Sequence, residues 1–151
     1  MLFRSGWVAA GRYTRAIMRN KLTTSLATAA PTQAAIAAYL AQGGYDRHLR
    51  QFRQTLALQQ GEMLQAVARY FPKGTRATRP LGGYFTWVEL PARIDTLRLH
   101  RAALDHGISI APGPLFSSSG AFGNFLRLNC GHPWNAEMEQ GMATLGKLMA
   151  T

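Results

Sequence analysis

The sequence predicts an α/β protein in which residues 72–151 form a small α+β domain. Strand-like and helix-like segments alternate after residue 75, which is the pattern of a layered α/β domain. A long amphipathic segment precedes them, and 47% of the 151 residues are hydrophobic, enough for a packed core. This length predicts one domain, or one domain with an appendage.

Charge and cysteine content narrow the class of protein. Seventeen Lys and Arg against seven Asp and Glu give a net charge of +10, which favours nucleic acid, anionic lipid or an acidic partner. The arginines are dispersed rather than clustered, which weakens the nucleic-acid interpretation. The single cysteine, Cys130, excludes an internal disulfide and fits a reducing, cytoplasmic compartment. No apolar run reaches the length of a membrane span, so we expect no membrane partner.

The first 44 residues predict a strand and two helices. β-forming residues occupy positions 3–10, a helix is expected over 12–22, and Pro31 suits the first turn of a second helix. The apolar sides of these two helices are expected to be Tyr13 and Ile17, then Ile36, Tyr39 and Leu40. Because a domain rarely opens within a strand, we interpret residues 1–44 as the edge of another domain.

Residues 45–71 give the clearest helix signal. Apolar residues recur at steps of three or four, apart from one longer gap: Leu49, Phe52, Leu56, Met63, Val67 and Tyr70. The other side carries Arg47, Arg50 and Arg53. These arginines form a nucleic-acid-binding ridge, a solvated face, or a surface that pairs with acidic groups outside the chain. We favour the last two interpretations, since no aromatic residues interleave with the arginines.

The remaining segments alternate. Strands are predicted at 75–79, 84–90, 108–111 and 125–128, and helices at 96–106 and 136–149, with Asp95 and Asn135 as N-caps. Inward-facing residues on the two helices are expected to be Leu97, Leu99, Ala103 and Leu104, then Met138, Met142, Leu145 and Leu148.

Arg127 is the strongest candidate for a functional side chain. It stands between two leucines in the last predicted strand, and Gly131 and Pro133 end that segment. A guanidinium is costly to bury unless a carboxylate or phosphate meets its planar fork. Arg127 is therefore expected to bind a small anion, although a solvent-facing residue or a structural ion pair are alternatives. Arg4, at the start of the first predicted strand, is a second candidate.

Other candidates are weaker. The sequence has no Gly-x-Gly-x-x-Gly, no Gly-x-x-x-x-Gly-Lys and no His-Glu-x-x-His motif, and the separated histidines predict no metal site. We interpret Cys130 as a small core residue rather than a nucleophile, and His132 as a packed turn residue.

Several blocks, in the correct order, resemble fold-type-I pyridoxal-phosphate aminotransferases. They are Arg4-Ser5-Gly6-Trp7-Val8, Gly82-Gly83-Tyr84-Phe85-x-Trp87, Gly107-Ile108-x-Ile110-x-Pro112-Gly113-x-x-Phe116 and Leu126-Arg127-Leu128-Asn129. Two further blocks are similar to the MocR branch of the GntR transcriptional regulators, which join a winged-helix DNA-binding domain to an aminotransferase-like domain. These are Gly43-Gly44-Tyr45-Asp46-Arg47-His48-Leu49-Arg50 and Asn129-x-Gly131-His132-Pro133-Trp134.

The resemblance implies roles for individual residues. Arg127 matches the arginine that receives the α-carboxylate of an amino acid, and Arg4 matches the arginine that pairs with the cofactor phosphate. Gly82 and Gly83 fall where the backbone approaches the substrate, and Asn129 is expected to help orient the strand that carries Arg127.

The resemblance also implies a fragment. The Schiff-base lysine of the family would precede Arg4, and none of Lys21, Lys73 and Lys147 has its context. We therefore expect a remnant of the large cofactor domain at 1–44, a connecting helix at 45–71, and the C-terminal small domain at 72–151. Pyridoxal phosphate is the expected cofactor of the full-length parent, neither covalently bound nor used in catalysis by this chain alone.

The expected partners follow from the parent architecture. They are an amino acid substrate or effector, the missing large domain, a second subunit, and DNA only through an absent winged helix. Exposed interfaces are expected to favour self-association. The alternatives are a fragment of a metabolic class I/II aminotransferase, acting on 2-aminoadipate or aromatic amino acids, and a basic nucleic-acid-binding module.

Overall fold

The computed structural model describes residues 6–150. The chain divides into two compact units, Met1–Arg50 and Gln51–Thr151. In the first unit, a short 3-10 turn at Gly11–Tyr13 precedes helix α1 (Thr14–Thr24) and helix α2 (Ala30–Ala41). Helix α3 (Gly44–Tyr70) begins in the first unit and continues in the second.

The helices of the first unit follow the sequence prediction, but the strand predicted at 3–10 does not. Residues 6–10 have no strand, and residues 1–5 lie outside the described part. A strand needs a neighbour to pair with, and the described residues of this unit supply none. The apolar sides predicted for both helices are not covered by the described residues, since no side chain from residue 6 to residue 50 is buried.

The second unit contains a four-stranded sheet and three helical segments, including the continuation of α3. The new elements are β1 (Arg76–Ala77), β2 (Phe85–Glu89), helix α4 (Thr96–Leu104), β3 (Ala111–Pro112), β4 (Phe125–Asn129) and helix α5 (Ala136–Leu148). The strand order is β1-β2-β4-β3, and each neighbouring pair is antiparallel. The predicted mixture of helices and strands is confirmed.

One face of the sheet is buried and the other is open. Thr86, Val88, Leu126 and Leu128 point inward and are at most 6% exposed. They belong to a core shared with the helices, including Met63 and Val67 of α3, Leu99 and Ala103 of α4, and Met142 and Leu145 of α5. Since side chains alternate along a strand, the residues between them lie on the outer face.

Both predicted N-caps are present. The Asp95 carboxylate accepts hydrogen bonds from the Leu97 and Arg98 amides at 2.8 and 3.1 Å. The Asn135 side-chain oxygen accepts one from the Met138 amide at 2.8 Å. These contacts satisfy amide groups that the first helical turn leaves free.

Three predictions for the second unit need correction. The strand predicted at 75–79 is only Arg76–Ala77. The strand predicted at 108–111 is only Ala111–Pro112, which pairs with Arg127 and Leu126 of β4. Pro112 is tolerated there because β3 is an edge strand, where a missing amide donor does not interrupt the ladder. On α4, Leu97 and Leu104 are exposed rather than inward, which leaves a narrower buried stripe than predicted. Among the described residues, no helix has the length and hydropathy needed to cross a bilayer.

Candidate anion-binding site

Arg127 lies near the middle of the outer face of the sheet. It is directly opposite Trp87 of β2 and Ala111 of β3. Its strand neighbours Leu126 and Leu128 are buried on the opposite face, so the backbone of β4 is held firmly by the core. This placement explains how a strand between buried leucines carries a guanidinium without burying it completely.

The Arg127 guanidinium contacts two aromatic rings. Its Cζ atom lies 4.1 Å from the centroid of the Phe85 ring and 4.2 Å from that of Phe116. The Nε atom is buried and has no hydrogen-bond partner. A buried N–H without an acceptor is unfavourable, and it marks a position where an anion would be stabilised.

The described part of the chain offers Arg127 no carboxylate. The ion pairs among the described residues are Arg69 with Glu139 at 2.7 Å and Arg76 with Glu89 at 2.6 Å. Glu89 shares the outer face of β2, but both of its oxygens accept from Arg76. The interpretation of Arg127 as a structural ion pair is therefore wrong among residues 6–150, and its buried Nε also argues against a simple solvent-facing residue.

Gly82 and Gly83 lie in the exposed turn that leads into β2. The Gly83 carbonyl accepts a hydrogen bond of 2.7 Å from Nε2 of Gln60, a residue of α3 that is 8% exposed. Gly83 has a φ of +89°, a conformation that side-chain-bearing residues rarely adopt. The turn is thus fixed to α3, two residues before the Phe85 ring that contacts Arg127.

Asn129 ends β4 opposite Phe85 and is exposed. Its side-chain oxygen accepts a hydrogen bond of 2.8 Å from the Gly131 amide, which stabilises the turn after the strand. A Cβ atom at Gly131 would lie 2.9 Å from the Tyr84 ring, so glycine allows that turn to pack closely.

Arg4 lies outside the described residues. Its contact with the cofactor phosphate therefore stays a prediction. Among the lysines, Lys21 donates a hydrogen bond to Thr28 at 3.0 Å, Lys73 lies in the turn after α3, and Lys147 is part of α5. The described residues contain no cluster of His, Cys, Asp and Glu able to hold a metal ion.

Cys130 belongs to the core, as predicted. It is 1% exposed, and its Sγ atom lies 3.4 Å from Oγ1 of the buried Thr86. Burial raises the pKa of the Cys130 thiol, and the contact with Thr86 opposes this only in part. A thiol with a raised pKa is a poor nucleophile.

A polar cluster ties the turn after β4 to the end of α3. The Glu139 carboxylate accepts hydrogen bonds from Arg69 at 2.7 Å, from Trp134 at 3.0 Å, and from the Tyr70 hydroxyl. These contacts, that of Tyr70 foremost, lower the pKa of Glu139 although its own burial opposes the shift. The cluster joins α3, α5 and the segment that follows Arg127.

Next to this segment, a cleft of about 530 Å³ opens beside α5. Met63, Ile110, Leu128, Asn129 and His132 contribute to its lining. Arg127 does not line it, so the cleft and the guanidinium are separate features of the unit.

The sequence reasoning missed three residues near the candidate site. Phe85 and Phe116 contact Arg127, and Gln60 holds the glycine turn. Both phenylalanines belong to the family-like blocks, but their contact with Arg127 depends on strand register. Gln60 could have been recognised from the sequence, because it is a polar residue within the apolar stripe of the helix, at a helical spacing from Leu56 and Met63.

The predicted arginine ridge on α3 is exposed. Arg47, Arg50 and Arg53 all face solvent, as either a solvated face or a binding surface requires. This exposure does not distinguish those two interpretations.

The chain is similar to known transcriptional regulators and aminotransferases. No protein-family model matches the chain. The chain is 43% identical over 147 residues to the uncharacterised HTH-type transcriptional regulator YdcR of Escherichia coli (strain K12), covering 97% of this chain and 31% of that protein. It is 30% identical over 144 residues to the uncharacterised aminotransferase SSO0104 of Saccharolobus solfataricus, covering 95% and 36%.

The fold is also that of solved aminotransferases. The crystal structure of the multiple substrate aminotransferase from Thermococcus profundus matches with a TM-score of 0.84 at 27% identity, over 92% of this chain and 34% of that one. The chain thus spans about a third of the length of these relatives. Over that part, the chain resembles fold-type-I aminotransferase-like domains, and it is most like the MocR branch of GntR-type regulators.

Proposed function

We propose that the chain is the C-terminal part of the effector domain of a MocR-type regulator, and that Arg127 binds the carboxylate of an amino acid. In this proposal, residues 1–44 are a remnant of the large domain, 45–71 the connecting helix, and 72–151 the small domain. Arg4 would contact the phosphate of pyridoxal phosphate in the full-length, cytoplasmic parent. The chain alone is neither catalytic nor covalently bound to that cofactor.

One observation carries the carboxylate assignment. The Nε–H of Arg127 is buried without an acceptor, and the guanidinium has no carboxylate partner among residues 6–150. A planar carboxylate accepts two parallel N–H bonds from a guanidinium, which would satisfy the buried donor and neutralise the charge together.

The surrounding residues support a binding role rather than a reactive one. Gln60 fixes the carbonyl of Gly83, and Asn129 fixes the turn that follows β4. We propose that the Gly82–Gly83 backbone approaches the same ligand, and that Asn129 keeps the end of the Arg127 strand in register. These residues bind and orient, whereas pyridoxal phosphate, when bound to the parent, supplies an electron sink for amino acid chemistry.

In the parent, ligand binding would regulate DNA affinity. An amino acid that contacts both domains favours their closed arrangement by its differential affinity for the two states. DNA would be bound by a winged helix outside this chain, and the remaining domain and a second subunit would cover its exposed interfaces, which in isolation promote self-association.

The carboxylate assignment is tested with sodium acetate as the probe. We expect saturable shifts of the Arg127 Nε–H signal and of the backbone amide signals of β4 in a nuclear magnetic resonance titration of the 151-residue chain, and none with the neutral analogue acetamide. The β4 amides remain in Arg127→Gln and report acetate binding there. Arg127→Gln should weaken acetate binding at least tenfold, since it removes the cation. Arg76→Gln, on the same sheet but already paired with Glu89, is the matched control. Equal acetate affinity in Arg127→Gln and the wild type would refute the assignment.

A metabolic aminotransferase fragment is the second candidate. The matches to an aminotransferase sequence at 30% identity and to a solved multiple substrate aminotransferase favour it. The gene sequence upstream of this chain decides between them. A winged helix encoded there supports the regulator, and its absence from the complete gene supports the enzyme, with 2-aminoadipate or aromatic amino acids as substrates to test.

A further inference from the structure

We propose that Phe85 and Phe116 are positioning residues that hold the Arg127 guanidinium ready for a carboxylate without occupying its N–H donors. This inference rests on the proposed carboxylate-binding role of Arg127. It adds a function for two aromatic residues that the site assignment leaves without one.

The first ring is set by strand pairing. Phe85 lies two residues before Trp87, and Trp87 is directly opposite Arg127. Phe85 is therefore a diagonal neighbour on the same face, within reach of a long side chain. Its ring centroid lies 4.1 Å from Cζ of Arg127, well inside the range of a cation–π contact.

The second ring comes from a different part of the chain. Phe116 ends the 3-10 turn Gly113–Phe116 that follows β3, and its centroid lies 4.2 Å from Cζ of Arg127. Trp87 packs edge-on against Phe116 with ring centroids 5.6 Å apart. At Gly113, an added Cβ would collide with the Phe122 backbone, so this turn is packed tightly against the outer face. Phe116 is thus held in place by its own neighbours.

Two aromatic rings can hold the Arg127 guanidinium and leave its N–H donors free, which a structural carboxylate cannot do. A structural carboxylate fixes an arginine by accepting its N–H groups, and it then competes with any anionic ligand. An aromatic ring attracts the cation through its π-electron face and accepts none of those hydrogen bonds in the usual geometry. The buried, unpartnered Nε of Arg127 is the expected result of such an arrangement.

The alternative is that the two phenylalanines only provide apolar packing. Substitutions at Phe116 separate the two possibilities, since the residue is 43% exposed and tolerates change. Phe116→Leu keeps an apolar side chain but removes the ring, whereas Phe116→Tyr keeps the ring. Phe122→Leu is the matched control, because Phe122 packs on Trp87 and Phe125 in the same aromatic cluster and has no cation–π contact with Arg127.

The test measures acetate affinity of the 151-residue chain from the backbone amide signals of β4, which every variant retains, together with the position of the Arg127 Nε–H signal without acetate. We expect Phe116→Leu and Phe85→Leu each to weaken acetate binding about fivefold, because a guanidinium that is no longer held in place must be ordered when acetate binds. Both should also move the ligand-free signal downfield by removing a ring current. Phe116→Tyr and Phe122→Leu should remain within about twofold of the wild type.

The possible results distinguish the positioning role of Phe85 and Phe116 from the carboxylate-binding role of Arg127. Wild-type affinity in both leucine variants, with binding lost in Arg127→Gln, would overturn the positioning role and leave carboxylate binding intact. An equal loss in Phe122→Leu would also overturn it, since general packing would then explain the effect. Unchanged affinity in Arg127→Gln would instead refute the proposed function itself.

Discussion

Leu126 and Arg127 are neighbours on β4 whose replacement is expected to affect stability to very different extents. Leu126 is fully buried, and Leu126→Ala should cost about 2–5 kcal/mol, the usual range for truncating a core leucine. Arg127 carries a buried N–H without an acceptor, and the penalty for such a group is about 1–3 kcal/mol.

Arg127→Met removes this penalty and keeps an unbranched apolar side chain against the two rings. Two cation–π contacts are lost, each contributing about 0.5–1 kcal/mol at a partly exposed site. The net change then lies between a loss of about 1 and a gain of about 2 kcal/mol. Arg127→Met should therefore be far less destabilising than Leu126→Ala, while acetate binding is lost.

Urea unfolding of the three proteins, followed by far-ultraviolet circular dichroism, measures these differences. Tryptophan fluorescence provides a second probe, to which Trp87, opposite Arg127, contributes together with Trp7 and Trp134. A comparable loss of stability in Arg127→Met and Leu126→Ala would refute the reasoning. It would mean that the guanidinium is a structural part of the sheet rather than a group kept for a ligand.

Two further predictions concern the titratable groups. Because hydrogen bonds, chiefly from Tyr70, lower the pKa of Glu139 in the folded chain, its stabilising contribution is present above the ordinary glutamate pKa and is lost as pH falls through the lowered one. Lowering the pH from 7 to 3 (about one unit below the ordinary value) should therefore reduce the melting temperature of the wild type more than that of Glu139→Gln. Parallel plots of melting temperature against pH for the two proteins would contradict this. The buried Cys130 thiol, whose pKa is raised, should react with a maleimide only after unfolding; rapid labelling of the native chain would show that the core is open.

Local sequence signals determined most of the helices. The apolar spacing at Leu56, Met63 and Val67 predicted α3, and Asp95 and Asn135 marked the starts of α4 and α5. These features depend on residues a few positions apart, so they can be recognised without knowing the rest of the chain. The family blocks identified the fold for a related reason, since each is a short run of residues in a fixed order.

Strand pairing and burial were not determined locally. The contraction of the third predicted strand to Ala111–Pro112 depends on its pairing with β4, and the exposure of Ile17 and Ile36 depends on what the first unit offers for packing. An amphipathic pattern states which side of a helix is apolar, but it does not supply the surface that would cover that side.

The sequence alone singled out Arg127, Gly82, Gly83 and Asn129 as candidates. The tertiary structure decided which rings surround the guanidinium, because Phe85 and Phe116 reach it from separate segments through the register of β2 with β4 and the turn after β3. Contacts between residues far apart in the chain are fixed only when the sheet assembles, since a shift of one residue would turn Phe85 to the buried face.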